Sequence, residues 1–180
     1  MFHIVLYEPE IPQNTGNIMR TCVAIGARLH LIEPLGFKID ESKLKRSALD
    51  YYKHLDYLSY PNFEAFSNQN PGTYLFLTRY GKKNYADINY TELKEPIYLI
   101  FGKESTGVDR KLLAKHLEYC YRIPTTDKVR SLNLSNAVAI VAYEALRQFN
   151  FYELEKMEPD THKGKDFLDQ FIEHEGNNEK

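Results

Sequence analysis

Five short runs along the chain are apolar at nearly every position: HIVLY (3–7), LHLI (29–32), YLFLT (74–78), IYLIF (97–101) and the shorter YCYRI (119–123). Each is bounded by Pro, Gly or Asn, and most lack the in–out alternation of a strand with one wet face. Continuous apolar runs of this length are expected of strands covered on both sides. Between them the period changes. From Asn17 to Ala27, Ile18, Cys22 and Ile25 fall at i, i+4 and i+7, a helical stripe. Residues near 109–117 are helical in character, and 134–149 sets Leu134, Ala137, Val138, Val141, Ala145, Leu146 and Phe149 on one broad face. Strands alternating with helices predict an α/β domain with a mostly parallel sheet and helices on both of its faces.

Near residue 157 the pattern breaks. MEPDTHKGKD reads as a linker, FLDQFIEH has room for one or two amphipathic turns, and the end is polar. The expected division is a domain over 1–157 and an acidic polar tail over 158–180. Charge sharpens this picture. The overall net of −2 conceals a body, 1–150, at +3 and a segment, 151–180, at −5. A mildly basic body permits an RNA partner without demanding one, because local patches govern phosphate contact. No apolar run is long enough to span a bilayer. The opening MFHIVLYEPE turns acidic at once and reads as a first strand, not a targeting signal. Cys22 and Cys120 form no metal or redox spacing. A soluble cytoplasmic protein without a metal is expected.

Three polar stretches follow strands, where parallel sheets bind ligands. In PEIPQNTGNIMRTC (9–22), Asn14, Thr15 or Asn17 could cap the next helix, but capping does not account for Arg20, an anion contact or an ordinary solvated residue. FGKESTGV (101–108) resembles a phosphate loop, yet Val108 and Asp109 stand where a Walker motif needs Lys and Ser/Thr, and Glu104 would repel phosphate. What remains is a tight turn suited to a flat ligand, with Glu104 able to orient a hydroxyl or a cation, or else a plain βα turn. In RIPTTDKVRSLNLSN (122–136), Asn133 or Ser135 can cap the helix. Ser131, Asn133, Ser135 and Asn136, beside Lys128 and Arg130, exceed what one cap requires; surplus donors at a helix start suit carbonyl, carboxylate or adenine edges. The six histidines are scattered and Cys22 lies on the apolar stripe, so neither a metal site nor a cysteine nucleophile is indicated. Lys43, Lys45 and Arg46 near Tyr51 and Tyr52, and Arg79, Lys82 and Lys83 beside Tyr80 and Tyr85, interleave cations with rings as RNA contact requires.

In order and spacing, HIVLYEPEIPQNTGNIMRTC, LIEPLGF, IYLIFGKESTGV and RIPTTDKVRSLNLSNAVAIVAYEA resemble the motifs of the SPOUT superfamily of RNA methyltransferases, nearest to its small tRNA wobble 2′-O-methyltransferases. The likeness covers about residues 1–150. It implies a C-terminal trefoil knot that forms the pocket for S-adenosylmethionine. It implies cofactor contacts from Leu77, Thr78, Gly102, Ile123, Ser131, Leu132 and Asn133, with Glu104 shaping the pocket. Arg20 would orient the acceptor hydroxyl, since it is too basic to serve as a base, and Asn14 would position the nucleotide. A homodimer built partly on the helix from Asn133 to Leu146 is implied as well. The expected reaction is methylation of the ribose 2′-OH of a tRNA wobble cytidine or uridine. A ribosomal RNA target and a non-catalytic RNA-binding module are the alternatives.

Overall fold

The computed structural model describes residues 2–39 and 53–172. Seven strands form one sheet: β1 (Phe2–Tyr7), β2 (Arg28–Ile32), β3 (Tyr57–Tyr60), β4 (Thr73–Leu77), β5 (Lys83–Asn84), β6 (Ile97–Gly102) and β7 (Cys120–Arg122). The spatial order is β3-β2-β1-β6-β4-β7-β5, and every pairing is parallel. Successive side chains enter different cores. Ile4, Leu6, Leu29, Leu31, Leu75, Leu99 and Phe101 face α1 (Pro12–Ile25) and α4 (Leu134–Gln148). Val5, Ile32, Phe76, Tyr98 and Ile100 face α2 (Phe63–Gln69) and α3 (Arg110–Lys115). Burial on both sides is why the central strands carry no polar alternation.

All five strands read from the apolar runs are present. β3 and β5 were not anticipated, for a physical reason. Both are sheet edges; Leu58 on β3 is exposed and β5 is only Lys83–Asn84, so neither carries a burial pattern. The helix read from Asn17 begins at Pro12, the N-terminal position proline favours. The capping candidates Asn14, Thr15 and Asn17 therefore lie inside α1, and its N-cap, Ile11, has no side-chain cap bond. By contrast α4 is capped by Asn133, whose Oδ1 accepts from the amides of Ser135 and Asn136. In α3, Asp109 accepts from the amides of Lys111 and Leu112.

One connection matters for the site. β4 and β5 are neighbours in sequence, yet β7 lies between them in the sheet. The chain leaving β4 passes round β7 and returns under α4, where Gln148 accepts from the Tyr90 amide at 2.9 Å and donates to the Ile88 carbonyl at 2.9 Å. The late strand β7 is thus flanked by β4 on one side and, on the other, by β5 from the segment that joins β4 to β6. Beyond α4 the chain carries a short 3₁₀ turn, Phe167–Phe171, whose Leu168 and Phe171 are exposed.

Candidate active-site cleft

At the carboxyl ends of β1, β4, β6 and β7 the polar stretches close on a cleft of about 750 Å³. A hydrogen-bonded lattice joins them. The Asn133 side chain donates to Asn14 Oδ1 at 2.9 Å, and Asn14 Nδ2 donates to Glu104 Oε1 at 2.9 Å. Glu104 also accepts from the backbone of Glu10 at 2.9 Å and of Ile11 at 3.3 Å. Glu10 in turn accepts from the amide and hydroxyl of Ser105, at 2.9 and 2.8 Å. Three stretches separated by roughly 90 and 30 residues are thereby held in one geometry. Glu104 thus holds the two residues that lead into α1, Glu10 and Ile11, and the Asn14 side chain in its first turn. With three donors on its two oxygens, it pins the loops together.

Strand ends supply the remaining walls. Glu8 holds a left-handed backbone, φ 52°, as the chain leaves β1. Its amide donates to the Ile32 carbonyl at 2.9 Å, and its carboxylate pairs with Lys103 at 2.6 Å. That hydrogen bond to Glu8 holds the Lys103 ammonium above its ordinary range. Burial, with Glu8 second, pushes the Tyr7 hydroxyl up to about 12. Gly102 is required by close approach: a Cβ there would lie 2.2 Å from the Val108 nitrogen, so any other residue would prise the 103–108 loop from the strand.

The cleft is lined by Leu77, Thr78, Gly102, Ile123, Ser131, Leu132 and Asn133, together with Asn14 and Glu104. Arg79 lines it too, whereas Arg20 is exposed on α1 and is not among its lining residues. Lys82 is exposed nearby, and Lys83 donates to the Glu118 carbonyl at 2.8 Å. Lys43, Lys45 and Arg46 lie outside the described residues. Arg110, Arg122 and Tyr80 also line the cleft and were not singled out for it from the sequence. Arg110 opens a helix and Arg122 closes a strand, so only the fold shows that they converge. Asn133 and Glu10 gave no hint of being pins either, because their partners are remote in sequence.

Chemically, apolar side chains of Leu77, Ile123, Leu132, Leu134 and Ala137 offer surfaces for a planar heterocycle, and Thr78, Ser131 and Asn133 offer polar atoms beside them. This is the build of a pocket for a nucleoside-sized ligand. Among the described residues no three His, Cys, Asp or Glu are grouped to hold a metal ion, and no helix is long and apolar enough to cross a membrane.

A parallel α/β sheet whose loops meet in such a cleft defines a nucleotide- or nucleoside-cofactor enzyme of the sheet-end type. More particularly, the chain belongs to the SpoU rRNA methylase family, whose model matches residues 1–143. An Escherichia coli relative named tRNA (cytidine(34)-2′-O)-methyltransferase is 43% identical over 153 residues, 84% of this chain and 96% of that one. A solved structure described as structural insights into the 2-OH methylation of C/U34 on tRNA superposes with a TM-score of 0.75 at 44% identity. It covers 83% of this chain and 97% of that one. An AdoMet-bound rRNA methyltransferase from Sinorhizobium meliloti superposes with a TM-score of 0.70 at 26% identity, over 81% of this chain and 56% of that one.

Proposed function

We propose that the protein uses S-adenosylmethionine to methylate the ribose 2′-OH of nucleotide 34, a cytidine or uridine, in the anticodon loop of tRNA. The observation that carries this reading is the Asn133–Asn14–Glu104 lattice, which binds all three family motifs around one nucleoside-sized cleft. The relatives named for position 34 match nearly end to end at above 40% identity, while the rRNA enzyme is far more distant. That favours tRNA over ribosomal RNA.

The cleft's chemistry fits the cofactor. Leu77, Ile123 and Leu132 would flank its adenine, with Thr78, Ser131 and Asn133 taking its polar edges and Gly102 keeping the loop close. When bound, S-adenosylmethionine supplies an electrophilic sulfonium methyl group. The chain's own task is then to hold a weakly nucleophilic hydroxyl in line and to favour loss of its proton as the O–C bond forms. Asn14 has spent one amide hydrogen on Glu104 and one lone pair on Asn133, which leaves one donor and one acceptor for the nucleotide. Arg20, outside the cofactor cleft, would orient the hydroxyl or an adjacent phosphate.

The threaded placement of β7 supports a trefoil knot in 73–148. Exposed Ile140 and Tyr143 on α4 support a homodimer built partly on that helix. The domain would end near 157, with 158–180 an acidic appendage, and the protein would work in the cytoplasm where its substrate is. The test is transfer of labelled methyl from S-adenosylmethionine to total tRNA from cells lacking the gene, followed by nucleoside mass spectrometry. 2′-O-methylcytidine or 2′-O-methyluridine at the wobble position is expected. Label in ribosomal RNA alone would move the substrate, and no label would remove the activity.

A further inference from the structure

A second groove, of about 450 Å³, opens beside the cofactor cleft and shares Thr78, Tyr80 and Arg110 with it. Its other walls are apolar: Leu113, Ala114 and Leu117, with Cys120 at the base. Tyr80 stands on the ridge between the two spaces and is 45% exposed. The guanidinium carbons of Arg79 and Arg110 lie 5.1 and 5.9 Å from the centre of its ring.

This ridge is rigid. Residues 78–81 form a turn closed by the Gly81 amide donating to the Thr78 carbonyl at 3.2 Å, with the Tyr80 amide donating to Thr78 Oγ1 at 3.3 Å. β7 clamps the turn from below: the Thr78 amide donates to the Tyr121 carbonyl at 2.8 Å, and Arg122 donates to the Arg79 carbonyl at 3.0 Å. A Cβ at Gly81 would lie 2.5 Å from the Tyr121 carbonyl carbon, so turn and strand are in direct backbone contact. The turn that carries the ring is firmly held, and the ring itself is left half in water between the two spaces. Asp109, the acid that caps α3, accepts from the amides of Lys111 and Leu112 and not from Arg110, so the Arg110 guanidinium keeps its donors for a phosphate.

An exposed ring on a braced turn, an apolar floor and two guanidiniums match a nucleobase stacked on the ring, with its phosphates on the arginines. Continuity with the cleft fixes where that base belongs in the strand. We propose that the Tyr80 ridge and the groove behind it are the subsite for an unpaired RNA nucleotide next to the one methylated, with Arg79 and Arg110 contacting its phosphates. The inference rests on the tRNA reading above and adds how the loop is gripped.

The test uses the full chain and an anticodon stem–loop RNA. In Tyr80→Ala the RNA Kd and the KM for tRNA rise about tenfold, the scale of one lost base stack. The S-adenosylmethionine Kd, measured by calorimetry, changes by a smaller factor than the RNA Kd, since Tyr80 only borders the cofactor cleft. Tyr80→Phe retains wild-type RNA affinity because the ring face suffices. In Arg110→Ala the slope of log affinity against log salt shrinks by about one. The subsite is overturned if Tyr80→Ala binds RNA normally, if it loses cofactor affinity instead, or if Tyr80→Phe is as weak as Tyr80→Ala. RNA binding is read separately from turnover. A wild-type protein that grips the stem–loop without methylating it would refute the activity and still report on the subsite.

Discussion

Two polar networks among the described residues differ in what they face: one borders open space and the other is enclosed. The lattice from Glu10 through Glu104 and Asn14 to Asn133 runs along a cleft of about 750 Å³. The other runs from His3 to His30 at 2.8 Å and on to the Tyr60 hydroxyl at 3.0 Å. It is covered by Phe66 and Tyr98, whose rings meet His30 edge-on. Burial, the largest cause, pushes both imidazoles down to about 4, so the pair is neutral at neutral pH, and both nitrogens of His30 are spent within the network. Gathered polar side chains therefore point to function only where some donors remain unspent and face a cavity. The histidine pair serves the interior; the asparagine lattice serves a ligand.

That contrast breaks most readily at its catalytic end. Arg20→Ala should lower single-turnover methyl transfer by at least about a hundredfold, the scale of a lost electrostatic orienter. Its cofactor affinity by calorimetry should stay within about twofold. A large loss of cofactor binding would place Arg20 in the wrong role. Next in size is Glu104→Ala. It strands the amides of Glu10 and Ile11 and the Asn14 side chain, and should cost about 1–3 kcal/mol in urea unfolding. Because the pins also shape the cleft, cofactor affinity should fall with it; a stability loss alone would separate lattice from pocket.

The sealed network makes a pH prediction instead. Imidazoles held near 4 when folded, against a usual 6.5, take up protons mainly in the unfolded chain. Their contribution to stability is thus complete above about pH 6.5 and is lost as pH falls towards 4. Urea midpoints measured across that window should decline, and His3→Gln should flatten the decline; an unaltered slope would show that the pair is not the cause. Smallest is Ser131→Ala, which should weaken cofactor binding about fivefold, one hydrogen bond's worth. Unchanged calorimetry would remove Ser131 from the ligand's contacts.

The central strands were legible because burial on two faces leaves an uninterrupted apolar run, and α4 was legible because one face is apolar and Asn133 caps it within three residues. The start of α1 was not, since it has no side-chain cap and the carboxylate that holds the residues leading into it, Glu104, lies more than ninety residues on. The strand Lys83–Asn84 exists only because β7 offers it an edge, which no local pattern records. At the site, the motif resemblance brought together the residues that line the cleft, whereas Arg110, Arg122 and Tyr80 converge through tertiary folding alone. The histidine pair shows the same limit from the other side: scattered in sequence, it is contiguous in space and still not a site.

The most direct measurement replaces the ribose of nucleotide 34 by 2′-deoxyribose in an otherwise competent tRNA and follows methyl transfer from labelled S-adenosylmethionine. The account predicts that label incorporation is abolished while the tRNA still binds. Continued incorporation into the substituted tRNA would contradict it, because the methyl group would then be going to another atom.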